Sequence, residues 1–135
     1  MIEQNIQELC TALHLEFKYE VAKDLPLLET TMKLQIFRIL FEFISNSGKY
    51  AQAKCINLNI EYHPFLSELI INIFDDGKGL QENHKPGLGI MSIQNRVSIL
   101  NGKMTVQNKK SFGLEWNITL PLQNSHLGKL QNQSL

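Results

Sequence analysis

The sequence predicts an α+β fold, a two-layer sandwich in which one mixed β-sheet is covered on one face by helices. Three observations predict it. Several short stretches alternate apolar and polar residues as strands do, and others repeat apolar residues at helical spacing. The two kinds are interspersed along the 135 residues with no internal repeat. A chain of this size, 43% hydrophobic and 19% charged, has the composition of one globular domain with its own core. That domain is expected over residues 1–122.

The elements follow in order. Residues 1–12 read as a short helix through Ile2, Ile6 and Leu9. Residues 14–21 alternate as a strand, with Leu15, Phe17 and Tyr19 on one side, and Asp24-Leu25-Pro26 is a loop. Residues 29–50 carry the longest helical pattern, with Thr30 or Thr31 near its start. Residues 54–62 alternate Ile56, Leu58 and Ile60 with Asn57, Asn59 and Glu61, and residues 68–74 are a strand rich in isoleucine. The turn at His63-Pro64 makes these two a hairpin. Residues 75–89 are polar and glycine-rich and read as a loop. Helical spacing returns over 90–100 and stops at Asn101-Gly102. Residues 103–107 and 114–120 are two further strands joined by a turn, and the polar tail from 123 to 135 is expected to be disordered.

Composition excludes some functions. Acidic and basic residues balance at 13 each, so neither a nucleic-acid footprint nor an anionic-membrane surface is expected, and phosphate binding must rest on a few placed groups. No apolar run is long enough for a membrane span and no signal peptide opens the chain, so this piece is expected in the cytoplasm, an expectation compatible with a membrane-anchored parent protein. Cys10 and Cys55 make no metal spacing and read as reduced thiols.

Three motifs carry chemistry. On the long helix, Arg38, Glu42, Asn46 and Lys49 fall within roughly 60° of one another, while Ile36, Phe37, Ile39, Leu40, Phe41, Phe43 and Ile44 fill most of the rest. Such a narrow polar stripe either lines a cavity or is a solvated strip held by Arg38–Glu42 pairing. The second motif is Asp75-Asp76-Gly77-Lys78-Gly79 at the end of an apolar strand. A carboxylate fixed there can accept a hydrogen bond from an exocyclic amine such as that of adenine. Gly77 and Gly79 permit positive φ and keep side chains off a flat ligand. Alone, the motif reads more readily as a plain hairpin turn. The third, Gly87-Leu88-Gly89, opens a helix whose free amides suit phosphate. It matches neither a dinucleotide fingerprint nor a P-loop.

Taken together, these residues resemble sensor histidine kinases. Glu42-Phe43-Ile44-Ser45-Asn46-Ser47-Gly48-Lys49-Tyr50-Ala51 looks like their N box, Asp75 through Gly79 like their first glycine box, and Gly87-Leu88-Gly89-Ile90 like their second. Ile93-Gln94-Asn95-Arg96-Val97 before Leu100-Asn101-Gly102 is similar to the nitrate-sensing and desaturase-regulating subgroup. The wider superfamily is that of gyrase, heat-shock chaperone, mismatch-repair and histidine-kinase ATPases, with the Bergerat-type ATP-binding fold.

The resemblance implies ATP and Mg²⁺ as ligands. Asn46 would ligate the Mg²⁺, Glu42 would act beside the γ-phosphate, and Lys49 and Tyr50 would lie against the nucleotide. Asp75 would read the adenine amine, with Gly77 and Gly79 shaping the pocket. Gly87, Leu88 and Gly89 would form the hinge of a lid over the phosphates. The implied partners are the dimerisation domain bearing a phosphoacceptor histidine and a response regulator; the isolated domain is expected to be monomeric. None of His14, His63, His84 or His126 has the helical, acid-followed setting of a phosphoacceptor, so the chain reads as the catalytic ATP-binding part of a longer kinase.

The resemblance departs at Tyr50, where histidine is frequent, at Gly48, where a larger residue is frequent, and at Leu114, where a threonine usually helps bind adenine through water. Gly48 is expected to loosen the helix end by about 1 kcal/mol relative to alanine. Two alternatives share the fold: an anti-sigma-factor serine kinase, and a degenerate module that only binds a partner.

Overall fold

A computed structural model describes residues 2–49, 52–78, 88–108 and 113–123, with the backbone only at Ile2, Glu3, Leu88 and Gly89. Helix α1 (Ile2–Ala12) buries Ile6 and Cys10, one turn apart on one face. It ends where His14 takes φ 59° and the Leu15 amide returns to the Cys10 carbonyl at 2.8 Å. His14, expected on a strand, therefore belongs to the helix terminus. Strand β1 (Glu16–Val21) follows, with Phe17 buried. Tyr19 is 50% exposed and stacks on Phe17 at 5.1 Å, because β1 is an edge strand with little beyond it to cover the second ring.

Helix α2 (Thr30–Lys49) starts at a carboxylate cap: Glu29 Oε2 accepts the Thr31 amide at 2.9 Å. Its inner face buries Met32, Ile36, Ile39, Leu40, Phe43 and Ile44. The outer face is not confined to the expected polar stripe. Leu34 and Phe41 are 46% and 43% exposed, and the Phe37 and Phe41 rings meet at 6.0 Å. Gly48 has a packing role, since a Cβ there would stand 3.2 Å from Leu13 Cδ1; α1's end lies close against α2, and the helix continues through Lys49.

The five-stranded sheet has the order β1-β2-β3-β5-β4, adding β2 (Cys55–His63), β3 (Glu68–Asp75), β4 (Lys103–Asn108) and β5 (Leu114–Pro121). Only β1–β2 is parallel, so the sheet is mixed as expected. Alternation assigns the faces. Ile56, Leu58 and Ile60 of β2, Leu69, Ile71 and Ile73 of β3, and Trp116, Ile118 and Leu120 of β5 point under the helices and form one core with them. Trp116 meets Phe43 of α2 edge-on, at 4.9 Å and 81°. The opposite face is mostly polar, with Ile70 and Phe74 also on it; register aligns Asn59, Asn72 and Asn117 across three strands, and Asn72 Nδ2 donates to Asn117 Oδ1 at 2.6 Å.

Helix α3 (Leu88–Ile99) begins two residues before the expected start and buries Ile90, Ile93 and Val97. It ends with Asn101 at φ 60° and the Gly102 amide bonded to the Val97 carbonyl at 2.9 Å. Gly102 is there for close approach, since a Cβ would stand 2.6 Å from the Thr119 carbonyl oxygen. The expected loop over 75–89 is thus shorter at both ends, with Asp75 in β3 and Leu88-Gly89 in α3. The expected disordered tail, apart from an exposed Gln123, lies outside the described residues. No helix among the described residues is long and apolar enough to cross a membrane.

Candidate functional site

Strand alternation in β3 turns Leu69, Ile71, Ile73 and then Asp75 toward the helices. Asp75 is consequently 2% exposed, a carboxylate at the end of a row of aliphatic side chains. A buried carboxylate needs donors, and three among the described residues reach it. Oδ1 accepts the amides of Gly77 and Leu114, each at 3.0 Å. Oδ2 accepts the Ser47 hydroxyl at 2.5 Å. The carboxylate therefore joins α2, the turn after β3 and the start of β5.

The geometry at β5 depends on Gly113, the one glycine with positive φ (92°) among the described residues. A Cβ there would meet the Asp75 carbonyl oxygen at 1.9 Å, so only glycine lets β5 enter close enough for the Leu114 amide to reach Asp75. Gly77 does not take the positive φ expected of it; it is buried and contributes its amide. Asp76 has a different job. Its Oδ1 accepts the Lys54 and Cys55 amides at 2.8 and 3.0 Å and so holds the start of β2. Desolvation pushes this carboxyl upward, but the Cys55 and Lys54 amides outweigh it and hold the group below its ordinary range.

The helical stripe is present: Glu42 and Asn46 are half-buried, Arg38 and Lys49 exposed. Arg38 and Glu42 form no ion pair among the described residues. Instead Asn46 Nδ2 donates to Glu42 Oε1 at 3.4 Å, which turns the Asn46 amide so that its Oδ1 accepts no hydrogen bond among the described residues. Ser47, next to Asn46, binds Asp75, so the stripe and the carboxylate are linked through consecutive residues. Tyr50, Gly79 and Gly87 lie outside the described residues, and Leu88 and Gly89 are described only as the first helical residues of α3.

The donor sets fit the ligands that the sequence implied. Among the described residues Asp75 Oδ2 has one protein donor and keeps lone-pair capacity for an exocyclic amine. Asn46 Oδ1, unpaired among the described residues, is a hard oxygen donor suited to Mg²⁺. No group of three acidic, histidine or cysteine side chains gathers among the described residues, so such an ion would take most of its ligands from phosphate and water.

A sequence profile described as "Histidine kinase-, DNA gyrase B-, and HSP90-like ATPase" matches residues 31–124. The chain belongs to this family. Among its relatives, the sensor histidine kinase YdfH of Bacillus subtilis is 29% identical over 101 residues, covering 72% of this chain and 24% of that protein. The autoinducer 2 sensor kinase/phosphatase LuxQ of Vibrio parahaemolyticus is 27% identical over 117 residues, covering 69% of this chain and 14% of that protein. The chain thus spans about a quarter or less of these curated relatives. The fold is also that of the blue-light activated histidine kinase from Erythrobacter litoralis EL346, with TM-score 0.74 at 16% identity over 97% of this chain and 42% of that one. Full-length ShkA in complex with AMPPNP gives 0.73 at 18% identity, over 89% and 29%.

For a member of this ATPase family, the structure adds residues the sequence reading missed. Ser47 was not singled out, although a serine one turn after Phe43 and Ile44 lies on the buried side of the helix. Leu114, noted only for a side chain unlike threonine, orients Asp75 through its backbone.

Proposed function

We propose that this chain binds ATP with Mg²⁺ and supplies the γ-phosphoryl group for phosphorylation of a histidine on a dimerisation domain outside it, in two-component signalling. The observation that carries this reading is the buried Asp75 carboxylate, held by Ser47, Gly77 and Leu114 with acceptor capacity left on Oδ2. Asp75 accepts the adenine amine, and Gly77 presents only backbone to the base. Asn46 would supply an oxygen to the metal, and Glu42, which accepts the Asn46 amide at 3.4 Å, would act beside the γ-phosphate. Lys49 adds a positive charge beside the phosphates. Mg²⁺, when bound, neutralises charge developing on the phosphate oxygens. The chain's share of catalysis is positioning and charge stabilisation. The phosphoryl group passes from ATP to the histidine, leaving ADP, and then to a response-regulator aspartate. Tyr50, Gly79, Gly87, Leu88 and Gly89 complete the nucleotide site in this reading, which places the domain in the cytoplasm.

The test is a titration with ATP, with and without Mg²⁺, beside Asp75→Asn and Asn46→Ala. Expected are Mg²⁺-enhanced binding, loss of that enhancement in Asn46→Ala, and a roughly tenfold or greater weakening in Asp75→Asn, whose amide offers donors where the amine needs an acceptor. An unmutated chain that binds no nucleotide at millimolar MgATP overturns the reading.

A further inference from the structure

Helices α2 and α3 are joined by one polar contact among the described residues: Arg96 Nη1 donates to Gln35 Oε1 at 2.5 Å. The contact is half-buried, and Arg96 Nε beside it is buried with no partner among the described residues. A guanidinium drawn out of water and left with an unused donor is costly. Leucine or methionine would fill the same space without that cost, so packing alone does not account for arginine here.

The position of the contact suggests its purpose. At about 100° per residue, Gln35 and Glu42 differ by only about 20° around α2, so Gln35 lies on the stripe that carries Glu42 and Asn46. From the contact, α2 runs seven residues to Glu42, and α3 runs back seven residues to Gly89 at its N-terminal end. Each arm is two helical turns, about 10 Å. In the proposed nucleotide site the metal-binding amide of Asn46, one turn beyond Glu42 on α2, and the backbone amides at the start of α3 must address the same phosphates.

We propose that Arg96 is a positioning residue that acts through Gln35, fixing the phosphate-facing start of α3 against the Glu42–Asn46 stripe of α2. This inference rests on the nucleotide-binding reading. It separates the two ends of the site. The Asp75 end is held by Ser47, Gly77 and Leu114, none of them on α3, so adenine recognition is independent of the link. Phosphate recognition depends on it.

The test compares dissociation constants of adenosine and MgATP for the unmutated chain, Gln35→Ala, Arg96→Gln, the double variant and Gln35→Glu, with thermal melting alongside. Gln35→Ala and Arg96→Gln are each expected to weaken MgATP about fivefold to tenfold while adenosine changes less than about twofold. The double variant should be no worse than either single one, as for two halves of one contact. Gln35→Glu keeps an acceptor for the guanidinium and should restore MgATP affinity. Equal losses for adenosine and MgATP would show a merely structural contact and overturn the proposal, as would additive losses or no loss. If Arg96→Gln does not fold, Gln35→Ala and Gln35→Glu still decide the matter. An unmutated chain that binds neither ligand fails the nucleotide reading itself, and the link with it; one that binds both while the variants keep its MgATP-to-adenosine ratio fails the link alone.

Discussion

A Cβ built on Gly113 would stand 1.9 Å from the backbone carbonyl oxygen of Asp75 and 3.2 Å from its Oδ1. The obstacle is backbone, at the end of β3 where β5 begins, so no side-chain rotation relieves it. The residue also sits at φ 92°, where an L side chain is strained. Gly113→Ala is therefore expected to cost about 3 kcal/mol or more, from backbone strain plus displacement of β5. It should also abolish the Leu114 amide's bond to Asp75. Urea unfolding measures the first effect and adenosine titration the second. A variant with the unmutated midpoint would show that β5 can retreat without loss.

Ser47 offers a finer probe of the same carboxylate. Its hydroxyl is the one protein donor to Asp75 Oδ2 among the described residues, whereas Oδ1 has two amides. Ser47→Ala removes that donor at a position only 2% exposed, without adding bulk. The expected loss is about 1–3 kcal/mol of stability, the usual cost of leaving a buried acceptor short of a partner. Adenosine affinity should fall together with it, because the carboxylate is freer to turn. Unchanged stability in a denaturant melt would mean that water takes the place of the hydroxyl at no cost.

The sheet and the long helix were legible because their periods are clean: Leu69, Ile71 and Ile73 alternate in β3, and Met32, Ile36, Ile39 and Phe43 repeat in α2. The same alternation, carried one step further, turns Asp75 inward and Asp76 outward, so the different jobs of the two acids were readable in principle. Ser47's partner was not, because it lies 28 residues away across a packing interface that no local pattern encodes. The role at position 114 escaped for another reason. It belongs to a backbone amide, which every residue except proline possesses, so the identity of Leu114 carries no trace of it. Phe41, grouped with the apolar remainder of the long helix, is exposed all the same, because an apolar side chain on a helix does not say whether anything covers that face.

Cys10 gives the fold an alkaline limit. Burial, with a smaller contribution from Cys55 nearby, pushes its thiol up from 9.0 to about 11. The folded state thus holds the neutral thiol over a range in which the unfolded chain has already released its proton. Stability from this group is complete below pH 9 and is lost as pH rises toward 11, by at most about 3 kcal/mol. Urea midpoints at pH 8 and pH 10.5 should therefore converge in Cys10→Ala relative to the unmutated chain, other alkaline titrations being common to both. At pH 8 a thiol reagent should label Cys55, which is half-exposed, well before Cys10, which has no exposed surface. Equal labelling rates would show that α1 opens readily.

Trp116 is the single tryptophan of the chain, fully buried between β5 and Phe43 of α2, and its indole Nε1 has no hydrogen-bond partner among the described residues. Two opposed effects decide what Trp116→Phe does. The smaller ring leaves a void and gives up part of the contact with Phe43, a loss of about 1–2 kcal/mol. It also removes a buried donor whose unmet desolvation costs about 1–3 kcal/mol. These nearly cancel, so the variant is expected to stay within about 1 kcal/mol of the unmutated chain in urea. Trp116→Ala, which opens the whole cavity, should lose about 3–5 kcal/mol. A large loss in Trp116→Phe would mean that the indole nitrogen is satisfied in solution by a water buried between Phe43 and the sheet.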